Sequence, residues 1–142
     1  MVKNKHIDIL VIGSGPGGYA AAFRAADLGR KVMLVDKDPT LGGVCLNRGC
    51  IPSKTLLHIA KVLEEAESLK KMGVTFSKPK IDIDSVRDWK NKVVSQLSNG
   101  IGQMAKARKV ETVQAEATFL SNTEVQLKID TKKETITFDH CI

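Results

Sequence analysis

Aromatic side chains, cysteines and long apolar runs are all scarce in this 142-residue sequence. Phe, Trp and Tyr together make up 4% of the residues. No stretch approaches the ~20 apolar residues that a membrane-spanning helix needs. The longest apolar run near the start, Ile9–Ile12, is too short for the core of a secretory signal peptide. The sequence therefore predicts a soluble, intracellular protein.

The three cysteines, Cys45, Cys50 and Cys141, are too few for the disulfide scaffold of a small secreted domain. In a reducing compartment a closely spaced pair is more often catalytic or metal-binding than structural. A structural zinc site normally needs four ligands, and the histidines show no ligand spacing relative to the pair. We therefore predict no metal site and a redox role for Cys45 and Cys50.

The chain carries 22 basic and 16 acidic residues, a formal net charge of +6. A basic excess can indicate nucleic-acid binding, but these residues are spread along the chain and lack interleaved aromatics. The densest cluster, residues 106–109, lies where a helix is predicted to end, and cations there suit the helix dipole. We predict no nucleic-acid partner, and the length fits about one domain.

The first third of the sequence predicts a βαβ unit. Ile7–Ile12 is a short apolar run, typical of a buried parallel strand. Residues 19–28 are rich in helix formers, and Gly29 is expected to end that helix. Lys31–Val35 is predicted to be the second strand.

A loop over residues 38–43 follows, and then a long helix. The helical spacing of its apolar side chains predicts that this helix runs from about Asn47 or Pro52 to Lys71. Gly73 is expected to end it.

After a linker at residues 77–82, Asp84 or Ser85 is predicted to cap a second long helix, which reaches about Lys106. The remaining segments alternate or carry β-branched residues and are predicted strands: Val110–Ala115, Glu124–Ile129 and Thr135–Phe138. These elements predict an α/β fold with a parallel sheet, long helices and a β-hairpin or meander excursion.

The turn between the first strand and the first helix has the glycine spacing of a dinucleotide-binding site. Gly13 permits the tight turn, Gly15 lets the backbone approach a pyrophosphate, and Gly18 allows close helix–strand packing. The helix N-terminus then offers free N–H groups to the phosphates. Asp36, at the end of the second strand, is placed to accept hydrogen bonds from a ribose. The alternative is an ordinary strand–turn–helix with incidental glycines.

The spacing of Cys45 and Cys50 restricts their backbone if they pair. Residues five apart on an ideal helix have Cα atoms about 8–9 Å apart, whereas a disulfide needs less than ~7 Å. A paired segment therefore cannot be regular helix, and Gly49 makes a distorted turn easier. A helix N-terminus, Lys54 or both would favour the thiolate. The alternative for Cys45 and Cys50 is that they are two unrelated buried thiols. The alternative for Lys54 is that it is an ordinary surface lysine.

The glycine turn alone does not distinguish a flavin from a nicotinamide cofactor. The neighbouring thiol pair favours FAD, since a disulfide takes up two electrons through thiol exchange and a flavin can pass such a pair onward.

The segment from Gly42 to Lys54 resembles the redox-active segment of the flavoprotein disulfide oxidoreductases, G-G-x-C-L-N-x-G-C-I-P-S-K. The likeness covers the whole chain and is strongest to the lipoamide branch of that family, because Leu56-Leu57-His58 follows the motif. It implies a Rossmann-like FAD-binding domain.

The resemblance also implies residue roles. Cys45 would be the thiol that exchanges with dihydrolipoamide, and Cys50 would lie nearer the flavin in a charge-transfer contact. Lys54 would lie beside the flavin ring, and Asp36 would bind the adenosine ribose. The further cofactor contacts that the resemblance implies are Lys37, Thr40, Leu41, Gly42, Gly43, Val44, Cys45 and the backbone near Ala117.

For the rest of the protein the resemblance implies a reaction and partners. Residues 1–142 would be the N-terminal part of the FAD-binding domain, incomplete at its C-terminus, without the NAD-binding and dimerisation domains. The complete homodimer would oxidise dihydrolipoamide on the lipoyl domain of a 2-oxo acid dehydrogenase complex, with NAD⁺ as acceptor. It would be cytoplasmic, or lie in the mitochondrial matrix. Ile142, an apolar last residue, also suggests a fragment. We expect no turnover, and weak or no FAD binding, from the fragment alone.

The sequence departs from the family pattern at four positions. Asp36 stands where glutamate is usual, and Arg48 stands where an apolar residue is frequent. Ala115 and Ala117 stand where glycines are common. None of the three histidines matches the family's acid/base residue, so His6, His58 and His140 are expected to be surface or packing residues, and Trp89 is expected in the core.

Two other functions are compatible with these residues. One keeps the fold but changes the substrate, as in glutathione or mercuric reductases. The other is a non-enzymatic nucleotide-binding module in which the thiols sense redox state.

Overall fold

A computed structural model describes residues 5–142 as a sequence of strands and helices with one mixed sheet. The strands are β1 (Lys5–Ile12), β2 (Val32–Asp36), β3 (Glu111–Gln114), β4 (Glu116–Phe119), β5 (Glu124–Ile129) and β6 (Lys132–Cys141). The helices are α1 (Pro16–Asp27), α2 (Gly43–Arg48), α3 (Cys50–Ser68) and α4 (Ile83–Ala107), with a 3₁₀ turn at Leu69–Met72.

The six strands lie in the order β3-β2-β1-β6-β5-β4. β1 pairs in parallel with β2 and with β6, and β2 pairs in parallel with β3. β5 pairs antiparallel with both β4 and β6. The ten-residue β6 therefore joins the parallel part of the sheet to the antiparallel part, which confirms the predicted α/β fold and its hairpin excursion.

Two hydrophobic clusters stabilise the opposite faces of the sheet. On one face, α1, α2 and α4 pack against β1 and β2 through side chains that include Phe23, Leu34 and Ile101. On the other face, residues of β5 and β6, among them Leu127 and Phe138, pack against the same strands. Both faces of β2 are thus covered, and this explains its unbroken apolar run.

β1 is irregular where Asp8 interrupts its apolar run. The amides of Asp8 and Ile9 both donate to the Lys31 carbonyl at 3.1 Å, an arrangement typical of a β-bulge. Ile7 and Leu10, which would face opposite sides of a regular strand, therefore belong to the same hydrophobic cluster.

The helical region differs from the prediction at several points. α2 begins at Gly43, inside the predicted loop, and Gly49 separates it from α3. α3 gives way at Leu69 to the 3₁₀ turn, and Gly73 ends that turn in the left-handed conformation as expected, with φ of 86°. Asp82, rather than Asp84 or Ser85, caps α4, because its carboxylate accepts the amides of both those residues.

The strands of the last third also differ in detail. β4 lies in a stretch where the strand pattern predicted no separate element. β6 extends to Cys141, and its ladder with β1 continues to Ile142, whose amide donates to the Leu10 carbonyl at 2.9 Å. Within residues 5–142, none of the helices has the length and apolar character needed to cross a membrane.

Candidate dinucleotide and disulfide site

The turn between β1 and α1 has the conformation that its glycines predict. Gly13 has φ of +104°, a region that side chains disfavour, and its amide donates to the Val35 carbonyl at 2.7 Å. A Cβ on Gly18 would lie 1.7 Å from the Gly13 carbonyl oxygen. Gly18 therefore allows α1 to pack directly on the turn.

No contact within the protein requires a glycine at position 15. Its φ of −64° is ordinary, and a Cβ there would meet no protein atom within 4 Å. α1 begins at Pro16, and no side chain caps its first amides. An uncapped helix N-terminus beside a residue with no side chain can accept a pyrophosphate, so this surface fits a dinucleotide.

Asp36 ends β2 directly beside this turn. Its Oδ2 accepts the Ser14 amide and the Ser14 hydroxyl, each at 2.6 Å, and its Oδ1 accepts the Asp38 amide at 2.9 Å. Burial raises the pKa of this carboxyl, but the bonds from Ser14 and Asp38 and the charge of Lys37 outweigh burial and lower it. A carboxylate offers about four lone pairs, so Asp36 retains acceptor capacity for a ribose hydroxyl.

The segment that carries the cysteines lies against the same turn. The Gly42 amide donates to the Ser14 carbonyl at 2.9 Å. A Cβ on Gly43 would lie 2.7 Å from the Gly15 Cα, so this close approach requires a glycine at position 43. Two motifs that are separate in sequence thus form one continuous surface.

Cys45 and Cys50 form a disulfide, with Cα atoms 4.8 Å apart. This separation is shorter than a regular helix gives, as the sequence predicts, because the helix breaks at Gly49. Cys45 lies within α2 and is half-buried, whereas Cys50 is exposed and is the first residue of the 19-residue α3. A thiolate on Cys50 would therefore lie at a helix N-terminus, which stabilises it.

Two polar side chains that the sequence analysis did not single out hold the cysteine segment. The Asn47 amide donates to the carbonyls of Leu41 and Gly43 at 3.2 and 3.0 Å. The buried Ser98 hydroxyl, on α4, donates to the Leu41 carbonyl at 3.0 Å. Asn47 lies inside the motif and could have been examined, but nothing in the sequence indicates the long-range contact of Ser98.

The other predicted contact residues lie at varying depths. Lys37, Thr40, Val44 and Lys54 are exposed. Ala117 pairs with Leu127 and packs against the hydrophobic cluster under β5 and β6. Its role as a backbone contact to the adenine end of the cofactor stays a prediction.

An open cavity of about 490 Å³ lies beside this region. Lys37, Gln114, Ala115 and Lys128 are among the residues that line it. The Ala115 amide donates to the Asp36 carbonyl at 2.9 Å, so the cavity adjoins the carboxyl end of β2.

The remaining candidate residues lie apart from the disulfide. Cys141 is a free, half-buried cysteine, and burial raises the pKa of its thiol. His6, His58 and His140 are exposed. Trp89 is 53% exposed, so its predicted core position is wrong for the 138 residues described.

His6 belongs to a small polar group on β1 and β6. Its Nε2 lies 3.2 Å from Asp139 Oδ1, and possible ligand atoms of His6, Asp8 and Asp139 lie within 4.8 Å of one another. Asp8 already accepts the Lys31 amide at 2.8 Å, and the Lys31 ammonium donates to the His6 carbonyl. Hydrogen bonds within the chain thus account for this group.

Comparison with known proteins agrees with this geometry. The chain is 49% identical to the dihydrolipoyl dehydrogenase of Vibrio cholerae and 51% identical to that of Haemophilus influenzae, over 100% of its own length. It is 45% identical to the enzyme of that name from Bacillus subtilis over 95% of its length. The chain spans only about 30% of the length of these relatives. Because the family model described as pyridine nucleotide-disulphide oxidoreductase matches residues 7–142, the chain belongs to that family.

Proposed function

We propose that this chain is the FAD-binding, disulfide-bearing part of an enzyme that oxidises dihydrolipoamide to lipoamide with NAD⁺ as final acceptor. One observation carries the proposal: the hydrogen bond between Gly42 and Ser14 places the glycine turn directly against the disulfide segment. The names of the relatives support dihydrolipoamide as the substrate.

The residues of this surface fit a flavin dinucleotide. The uncapped start of α1 and the open face of Gly15 suit its pyrophosphate, and Asp36 suits its adenosine ribose. Cys50 is an exposed residue, so the disulfide segment lies where a flavin ring could lie along it. When bound, the flavin supplies a two-electron acceptor for the reduced cysteines.

The cysteines perform the exchange with the substrate. A thiolate of dihydrolipoamide attacks Cys45 Sγ, the Cys45–Cys50 bond breaks, and Cys50 leaves as a thiolate favoured by the N-terminus of α3. The second substrate thiol loses its proton and attacks the substrate sulfur that is joined to Cys45. Cys45 then leaves as a thiolate. Lipoamide forms its ring disulfide, the cysteines hold the electron pair, and the two substrate protons pass to the cysteine sulfurs or to water.

The proposal includes the partners that the resemblance implies. The substrate thiols would be presented on the lipoyl domain of a 2-oxo acid dehydrogenase complex, and the complete protein would be a homodimer. The NAD⁺ site would lie in sequence beyond these residues, since relatives of this name are more than three times as long.

The test is steady-state turnover by the complete protein. Dihydrolipoamide with NAD⁺ should give NADH, and glutathione disulfide with a reduced nicotinamide should give no comparable rate. Cys45→Ser and Cys50→Ser should each reduce the dihydrolipoamide rate by at least about 10³-fold, since each removes a reacting atom. Cys141→Ser is the matched control and should retain the wild-type rate with dihydrolipoamide.

Faster turnover with glutathione disulfide than with dihydrolipoamide would assign a different substrate to the protein within the same class of reaction. Turnover that survives both active-site substitutions would overturn the proposal. The 142-residue chain alone should show no lipoamide turnover.

A further inference from the structure

We propose that Arg48 is a positioning residue: through its ion pair with Asp38 it anchors α2 and favours the disulfide state of Cys45 and Cys50 over the dithiol. The inference rests on the proposed function only in taking this disulfide as the working redox group.

The ion pair links the redox segment to the nucleotide side of the site. Arg48 is the last residue of α2, and its guanidinium pairs with the Asp38 carboxylate. Asp38 lies in the loop after β2, and its own amide donates to Asp36 Oδ1 at 2.9 Å. Asp36, Asp38 and Arg48 thus connect the carboxyl end of β2 to the helix that carries Cys45.

α2 needs such an anchor. It has six residues, and isolated helices this short are not stable in water. At its start the Gly42 amide and the Asn47 side chain hold it to neighbouring backbone. At its end two constraints act, the covalent bond from Cys45 to Cys50 and the ion pair from Arg48 to Asp38.

These two constraints order the same residues, so each is more favourable when the other is already present. When the disulfide opens, the ion pair must form from a less ordered segment and contributes less. By thermodynamic linkage, a pair that is stronger in the oxidised state must shift the redox equilibrium toward that state. Removing it should favour the dithiol.

A direct effect of the Arg48 charge predicts a different pattern. Cys45 precedes Arg48 by three positions and shares its side of α2, so an unpaired guanidinium would stabilise a thiolate. On that account, loss of Arg48 disfavours reduction, while loss of the Asp38 charge favours it. On the positioning account, both losses favour reduction.

The experiment measures the thiol–disulfide equilibrium of the complete protein in dithiothreitol redox buffers. Acid quenching, alkylation and mass spectrometry of the peptides carrying Cys45 and Cys50 give the reduced fraction without relying on turnover. Arg48→Gln and Asp38→Asn should each raise the equilibrium constant for reduction by about two- to fivefold, the range expected of an exposed ion pair. The double variant should shift the equilibrium constant no more than the larger of the two single shifts. Arg48→Lys should shift it less than Arg48→Gln, because lysine keeps the positive charge.

The matched control is Arg87→Gln, which breaks an exposed ion pair with Asp84 on α4 and should leave the equilibrium unchanged. Opposite shifts for Arg48→Gln and Asp38→Asn would overturn the positioning role, as would no shift in either variant or an equal shift in the control. Should Arg48→Gln fail to fold, Arg48→Ala, which also removes the guanidinium charge, takes its place under the same criteria. A missing lipoamide activity would contradict the proposed function and leave this measurement valid.

Discussion

At the scale of single residues, Gly18 shows how little space the glycine turn leaves. We expect Gly18→Ala to lower the free energy of unfolding by about 3 kcal/mol or more, at or above the usual cost of overpacking, because the new Cβ meets backbone that must shift. Urea unfolding followed by circular dichroism measures the change.

Gly17→Ala is the matched control. A Cβ there meets nothing within 4 Å, and alanine favours the helix, so the free energy of unfolding should be unchanged or slightly higher. Similar losses for the two substitutions would contradict the packing argument for Gly18.

The second residue-scale prediction concerns Asp36 and pH. Its pKa is lowered from the usual value of 3.8, so the unfolded chain binds the proton more tightly than the folded chain. The carboxylate therefore contributes stability above that value, and this stability is lost as the pH falls through the lower pKa of the folded state. The stability difference between wild type and Asp36→Asn should be largest near pH 7 and shrink in acid.

Urea titrations at a series of pH values measure that difference. Ser14→Ala, which removes one donor to the carboxylate, should show part of the same pH dependence. Asp88→Asn on α4 serves as an exposed control. A difference that is constant with pH would refute the electrostatic account of Asp36.

Local chemistry explains which residues could be predicted from the sequence. The positive φ of Gly13 and the tight packing at Gly18 follow from a short, well-defined turn. The roles of Ser14 and Ser98 could not be foreseen, because each depends on a partner more than 20 positions away that folding brings close.

At the scale of elements, α3 contrasts with the central strands. It buries no side chain among the residues described, and Leu57 is 66% exposed, whereas Leu34 of β2 is fully buried. In this 142-residue chain Leu34→Ala should cost about 2–5 kcal/mol of unfolding free energy. Leu57→Ala should change it by less than about 0.5 kcal/mol.

Chemical unfolding of the two variants makes the comparison. A cost for Leu57→Ala that approaches the cost for Leu34→Ala would mean that α3 is buried against other parts of this chain.

Element boundaries were predicted well where one local signal dominates and poorly where two compete. The βαβ unit was correct because its strands and helix are continuous and apolar. Helix α2 was missed because two consecutive glycines, Gly42 and Gly43, are typical of a loop. The long-range contact with Gly15, which the sequence does not reveal, is what requires a glycine at position 43. The predicted cap of α4 lay two or three residues after the observed cap, Asp82, because Asp84 and Ser85 are equally good capping residues.

Trp89 shows the limit of composition. A single tryptophan on an amphipathic helix suggests a core position, yet an apolar stripe indicates only that a surface can be covered. It does not indicate that the covering element lies within the same stretch of sequence.

At the scale of the whole molecule, local stability should be uneven. β1 and β2 are covered on both faces, while α3 and residues 74–82 contribute few buried side chains. We expect hydrogen exchange to be slowest in the central strands and much faster in the second half of α3, where opening exposes little apolar surface. Exchange followed by mass spectrometry gives this profile, and equal protection of the two regions would contradict it.

The position of β6 has a consequence for biosynthesis. β1 (Lys5–Ile12) is synthesised early but needs β6 (Lys132–Cys141) to complete its hydrogen bonds on one side. Until the ribosome has released β6, a nascent chain presents an apolar strand with an open edge, which is a site for pairing with other polypeptides. Protection by chaperones during translation would matter most over the interval between synthesis of these two strands.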